Sequence, residues 1–156
     1  CIRDRGTVVQ LYFPRCLGEE CLEASVEPVE SVGGQETILV VEDNEDVRLT
    51  VVDVLEQSGY TVITAEDGDQ AMLKLKTGLQ PELIFTDVVM PGRVKSTDLA
   101  AWARAQTPPV PVLFTSGHTR DILSSNHLLS PDIHLLSKPY SPEALTLRVR
   151  SVLTAR

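Results

Sequence analysis

Five short apolar runs punctuate residues 36–156, and stretches of helical periodicity separate them. That alternation constrains the fold more than any other feature of the chain. The runs are Thr37–Val41, Tyr60–Ala65, Glu82–Thr86, Val110–Thr115 and Ile133–Ser137. The first is Thr-Ile-Leu-Val-Val, with no polar position after its threonine. Such a strand needs cover on both faces, which is the habit of parallel sheets.

The intervening stretches supply that cover. Glu45–Ser58 carries Val47, Val51, Val54 and Leu55 at helical spacing and stops at Gly59. Asp67–Thr77 gathers Ala71, Met72 and Leu75 and closes at Gly78. Ser96–Gln106 gathers Leu99, Trp102 and Ala103 before Thr107-Pro-Pro109 breaks it. Arg120–Leu129 is a weaker helix, because Ser124, Ser125 and Asn126 compete for their own backbone. Ser141 at the N-cap and Pro142 at the first helical position open a last helix, with Leu145, Val149, Val152 and Leu153 on one face. The prediction is an α/β fold: a flavodoxin-like, doubly wound, five-stranded parallel sheet in the order 2-1-3-4-5. Ligands of such a sheet gather beyond the carboxyl ends of its strands, at the crevice between strands one and three.

Residues 1–35 read differently. Gly6–Arg15 alternates like a single strand stopped by Pro14. Residues 16–35 hold five glutamates and no lysine or arginine, an acidic linker. The chain begins at Cys1 rather than Met and is expected to be part of something longer. A formal net charge of -8 and a pI near 4.8 argue against nonspecific nucleic-acid binding. No apolar run approaches the roughly 20 residues that span a bilayer, so no direct membrane contact is expected. The three cysteines, Cys1, Cys16 and Cys21, lack zinc-type spacing and read as free thiols of a cytoplasmic protein.

The strand ends carry the chemistry. Strand one delivers Glu42 and Asp43, strand three Asp87, strand four Ser116 with Thr115 beside it, and strand five Lys138. Three carboxylates brought together repel one another unless a cation intervenes. An oxygen-lined, open site suits Mg²⁺. A lysine adds a mobile positive charge suited to phosphate, and a hydroxyl can bond a phosphoryl oxygen. Together these groups suit phosphoryl transfer onto a carboxylate, with Asp87 the nucleophile.

Residues 36–156 resemble a response-regulator receiver domain of two-component signalling. The resemblance rests on Val40-Val-Glu-Asp43, Thr86-Asp-Val-Val-Met-Pro-Gly92, Phe114-Thr-Ser-Gly117 and Leu136-Ser-Lys-Pro139, in that order. It implies that Asp87 is the phosphoacceptor, that Asp43 ligates Mg²⁺ directly and Glu42 through water, and that the Val89 backbone carbonyl is a third protein ligand. It also implies that Ser116 is the switch hydroxyl, Lys138 the site lysine and Lys138–Pro139 a cis bond, and that the phosphodonor is a histidine kinase or a histidine phosphotransfer domain. The implied output is a shift in the surface formed by 120–129, the fifth strand and the last helix. Leu135 stands where the family often has Tyr or Phe, so an aromatic relay from Ser116 is not expected. Gly6-Thr-Val-Val-Gln-Leu-Tyr-Phe-Pro-Arg15 resembles the closing strand of a histidine-kinase ATPase domain. Residues 1–15, 16–35 and 36–156 would then be the kinase tail, linker and receiver of a hybrid sensor kinase.

Two other readings compete. A receiver that has lost phosphorylation would act only as an interaction module, although all five site positions are filled. A haloacid-dehalogenase-type phosphatase would need a second aspartate two residues after Asp87, where Val89 stands. Asp87 also has a plainer reading, as a turn-capping aspartate. Glu45 and Asp46 read as helix N-terminal charges. His118, His127 and His134 have no ligand spacing, and Trp102 reads as core. Oligomeric state is left open by the sequence.

Overall fold

The protein is described by a computed structural model over residues 34–117 and 134–155. The expected lone strand at 6–15, the linker up to residue 33, the expected helix at 120–129, His118 and His127 lie outside the described residues. The described elements run β1 (Thr37–Val41), α1 (Glu45–Gln57), β2 (Thr61–Ala65), α2 (Gly68–Lys76), β3 (Leu83–Asp87), α3 (Ser96–Arg104), β4 (Val112–Ser116), β5 (His134–Ser137) and α4 (Pro142–Thr154). All five strands are parallel, in the order β2-β1-β3-β4-β5. This is the sheet that the strand–helix alternation predicted.

Three polar residues start three helices. Asn44 Oδ1 accepts from Val47 N at 3.2 Å, Asp67 Oδ1 from Gln70 N at 2.7 Å, and Ser141 Oγ from Ala144 N at 3.2 Å. Each satisfies an N–H that the helix cannot, worth about 1 kcal/mol. Pro142 sits at the first helical position, as expected. Gly59 follows α1 with φ +90°, a conformation that L side chains resist. The turn it makes lets Tyr60 N reach Leu55 O at 3.1 Å, so Tyr60 belongs to the turn and β2 begins one residue later than expected.

The limits of β3 and β4 differ from expectation as well, β3 starting at Leu83 rather than Glu82. β4 begins at Val112, not Val110, because Pro111 has no N–H for the ladder; its carbonyl instead accepts from Ile84 N at 3.0 Å. β3 runs through Asp87, and β4 through Ser116, so both residues are the last of their strands rather than the first of their loops.

The sheet separates two apolar layers. Ile38, Val40, Leu83, Phe85 and Leu113 pack with Val51 and Leu55 of α1 and Leu145 and Val149 of α4. Leu39, Val41, Ile84, Val112 and Phe114 pack with Ala71 and Leu75 of α2 and Leu99 and Ala103 of α3. Trp102 is partly buried against this second layer, in line with its reading as core. Side chains alternate between faces along a strand, so position within the strand determines the layer. The ladder continues one residue past β1 and β5, through Glu42 N to Ala65 O at 3.2 Å and Lys138 N to Ser116 O at 2.8 Å. By that alternation Glu42, Asp87, Thr115 and Lys138 fall on the α1/α4 face. Thr86 and Ser116 fall on the α2/α3 face.

Candidate functional site

Each candidate side chain sits at the point where an apolar strand ends. Four buried residues, Ile38 to Val41, precede Glu42. Glu42 is itself only 2% exposed, so its carboxylate must be compensated locally. The compensation comes from Lys138. Its Nζ donates to Glu42 Oε2 at 2.9 Å and to Asp87 Oδ2 at 2.7 Å. Charge-assisted bonds of this length are the strong ones. Burial by itself would lower the Lys138 pKa, but the bonds to Asp87 and then Glu42 outweigh it and hold the ammonium above the ordinary lysine value.

Asp87 divides its two oxygens. Oδ2 meets Lys138, and Oδ1 accepts from Val89 N at 3.1 Å. The second bond is the turn-capping role of an aspartate, so the plain reading of Asp87 is met in the structure. The loop after Asp87 is tied down at several points. Ser96 Oγ donates to Val88 O at 2.8 Å, and Arg93 N donates to Asp69 Oδ2 at 2.9 Å. Gly92 takes φ +110°, and a Cβ there would lie 2.8 Å from that same Asp69 oxygen. The positive φ favours glycine, and a side chain there would also push on the Asp69 carboxylate that holds Arg93 N.

Asp43 is exposed beside buried Glu42. Among the described residues no three His, Cys, Asp or Glu side chains already form a metal cage. The expected convergence of three carboxylates is therefore realised as a pair around Lys138, with Asp43 facing water. The donor set still fits a hard divalent ion: Glu42, Asp43 and Asp87 offer only oxygens, and one ammonium leaves two of their three charges uncompensated. Asp43, Asp87 and the Val89 carbonyl are the groups that could hold it.

Ser116 is buried at the end of β4, on the α2/α3 face rather than beside Asp87. Leu135 packs into the same layer. The Lys138–Pro139 peptide is cis, as the motif implied; Thr107–Pro108 is cis as well.

Two residues of the site escaped the reading of the sequence. Arg48 Nη1 donates to the Glu42 carbonyl at 2.7 Å, with Nη2 3.9 Å from Glu66, and so braces the end of β1 against the loop after β2. Its signal was the lone basic residue of α1. Tyr140 sets its ring edge-on to Phe85, with centroids 6.4 Å apart. No spacing rule marks it, because it follows the motif lysine in a loop.

A parallel 2-1-3-4-5 sheet with an acidic pair, an aspartate and a lysine at the carboxyl ends of β1, β3 and β5 is the architecture of a signalling receiver domain. The profile of the response regulator receiver domain matches residues 38–150, and the chain belongs to that family, whose members serve two-component signalling. The sensor kinase CckA of Brucella abortus (strain 2308) is 29% identical over 158 residues, covering 96% of this chain and 17% of that protein. The alkaline phosphatase synthesis transcriptional regulatory protein PhoP of Bacillus subtilis (strain 168) is 33% identical over 116 residues, covering 74% of this chain and 48% of PhoP. The chain thus spans less than half the length of either relative. Among solved structures, a response regulator receiver protein from Sinorhizobium medicae WSM419 superposes with a TM-score of 0.69 at 27% identity, covering 78% of this chain and 96% of that one. The receiver domain of the hybrid histidine kinase CckA superposes with a TM-score of 0.60 at 30% identity, covering 75% of this chain and 98% of that one.

Proposed function

We propose that Asp87 accepts a phosphoryl group from a phosphohistidine, carried by a histidine kinase or a histidine phosphotransfer domain. The observation that carries this reading is the Lys138 ammonium held at 2.7 Å from Asp87 and 2.9 Å from Glu42. A fixed cation beside a carboxylate at a strand end is the arrangement that phosphoryl transfer needs, because that chemistry depends on positioning and charge neutralisation.

In the step, an Asp87 carboxylate oxygen forms a bond to phosphorus as the bond from phosphorus to the donor imidazole nitrogen breaks. The electron pair leaves with the imidazole, which takes up a proton. Lys138 offsets negative charge on the phosphoryl oxygens, and Ser116 supplies a hydroxyl that turns toward them from the α2/α3 side. Receiver domains bind Mg²⁺ for phosphorylation. Here Asp43, Asp87 and the Val89 carbonyl would hold the ion, with Glu42 acting through water, and it would add positive charge at the phosphoryl group. The loop ties at Val88 and Arg93 keep the Asp87 turn in place while this happens. A groove of about 380 Å³ beside Lys138, walled by Val47, Thr50, Val51, Pro139 and Tyr140, offers the donor protein an apolar seat.

The parent protein is proposed to be a cytoplasmically placed hybrid sensor kinase, with residues 1–15 its kinase tail. Support comes from the CckA match, which at 96% of the chain has to extend over most of the first 35 residues, while the PhoP match covers 74%.

The test is labelling with acetyl phosphate and Mg²⁺, read by intact mass. One phosphoryl adduct is expected on the native chain and none on Asp87→Asn. An unlabelled native chain, or equal labelling of Asp87→Asn, would overturn the reading.

A further inference from the structure

Thr115 presents a puzzle that the proposed chemistry does not use. It is 0% exposed, and among the described residues its Oγ1 has no hydrogen-bond partner. A buried hydroxyl left unpaired is costly, and valine has the same shape without that cost. The position is also specific. Thr115 is in register with Asp87 on one side and Leu136 on the other. Registered residues share a face, so its side chain lies on the α1/α4 face with Asp87 and Lys138. β4 lies between β3 and β5, so Lys138 has to reach across the strand of Thr115 to meet Asp87 at 2.7 Å.

The unmet capacities are complementary. An ammonium has three N–H donors. Two are committed, to Glu42 and Asp87, and Thr115 offers an unused acceptor on the strand that the lysine crosses.

We propose that Thr115 is a positioning residue for Lys138, its hydroxyl accepting the third N–H when the ammonium moves from the Asp87 carboxylate to the phosphoryl group. This rests on the reading of Asp87 as phosphoacceptor. In the resting state Glu42 and Asp87 hold the lysine, while among the described residues Thr115 Oγ1 has no partner. Phosphorylation consumes the charge of the Asp87 carboxylate, and the hydroxyl then helps to hold the ammonium against the phosphoryl oxygens. This role is separate from that of Ser116, which lies on the opposite face.

The test compares Thr115→Val with Thr115→Ser in the acetyl-phosphate reaction and in urea unfolding. Thr115→Val is expected to unfold at higher urea in the resting state, since an unpaired buried hydroxyl is gone. It is also expected to phosphorylate Asp87 more slowly, or lose the phosphoryl group faster, by roughly tenfold, the scale of one hydrogen bond to a charged group. Thr115→Ser, which keeps the hydroxyl, is expected to restore native kinetics. A merely structural residue would change the urea midpoint alone. Native phosphorylation and decay rates in Thr115→Val would overturn the proposal, as would a Thr115→Ser variant as slow as Thr115→Val. Failure of the native chain to become labelled would instead remove the reading on which it rests.

Discussion

Phe85 and Asp87 occupy the same face of the same strand, two residues apart. Phe85 is wholly buried, packed edge-on against Tyr140 and enclosed by α1 and α4. Asp87 is partly exposed and is held through polar bonds to Lys138 and Val89. One position is specified by volume and the other by charge. Packing is set by many neighbours at once and is not directional. The aspartate depends on single partners delivered by strands distant in sequence, and losing one partner changes what the site can do.

The contrast can be broken most severely at its apolar end. Phe85→Ala should lower the unfolding free energy by about 3–5 kcal/mol, the cost of a large buried ring with its cavity. Urea denaturation measures it, and a loss under 1 kcal/mol would show that the layer collapses around the gap. At the polar end, Lys138→Met keeps the length of the side chain but leaves Glu42 and Asp87 without their common cation. The expected loss is about 2 kcal/mol, below the full cost of breaking a buried pair because Lys138 is 24% exposed. Acetyl-phosphate labelling should fall far more than stability does. Equal and small losses in both assays would argue against Lys138 as the charge that serves the reaction.

The smallest effect should come from alkaline pH. The folded-state pKa of Lys138 is raised, so its contribution to stability is complete below the ordinary lysine value of about 10.5. It is lost as pH rises through the higher folded value. Burial likewise raises the pKa values of Tyr60 and Tyr140, which adds to the alkaline loss with the same sign. The slope of stability against pH above 10 should therefore be steeper in the native chain than in Lys138→Met. Parallel slopes would mean that the tyrosines account for all of it.

Much of the architecture was legible because burial leaves a periodic trace. The TILVV run and the Gly59 and Gly78 stops were enough to place the first two β-α units, and five strands in alternation with helices admit few topologies. The boundaries that moved did so for local reasons: Pro111 withholds a ladder donor, and Tyr60 is drawn into the turn at Gly59. Arg48 and Tyr140 went unread because neither repeats with a period nor sits in the strand-end motifs.

The sequence by itself determined that a carboxylate, an acidic pair, a hydroxyl and a lysine would stand at the ends of strands one, three, four and five. Those positions follow from chain order and hydrophobic period, which are one-dimensional properties. Only the tertiary structure decided that Lys138 bridges Glu42 and Asp87 while Asp43 faces water, across separations of 96 and 51 residues. It also decided that Thr115, rather than Ser116, shares the face of Asp87. Both outcomes turn on register and side-chain reach. A shift of one residue between β3 and β4 would exchange the two hydroxyls, and nothing in the strand motifs measures that offset.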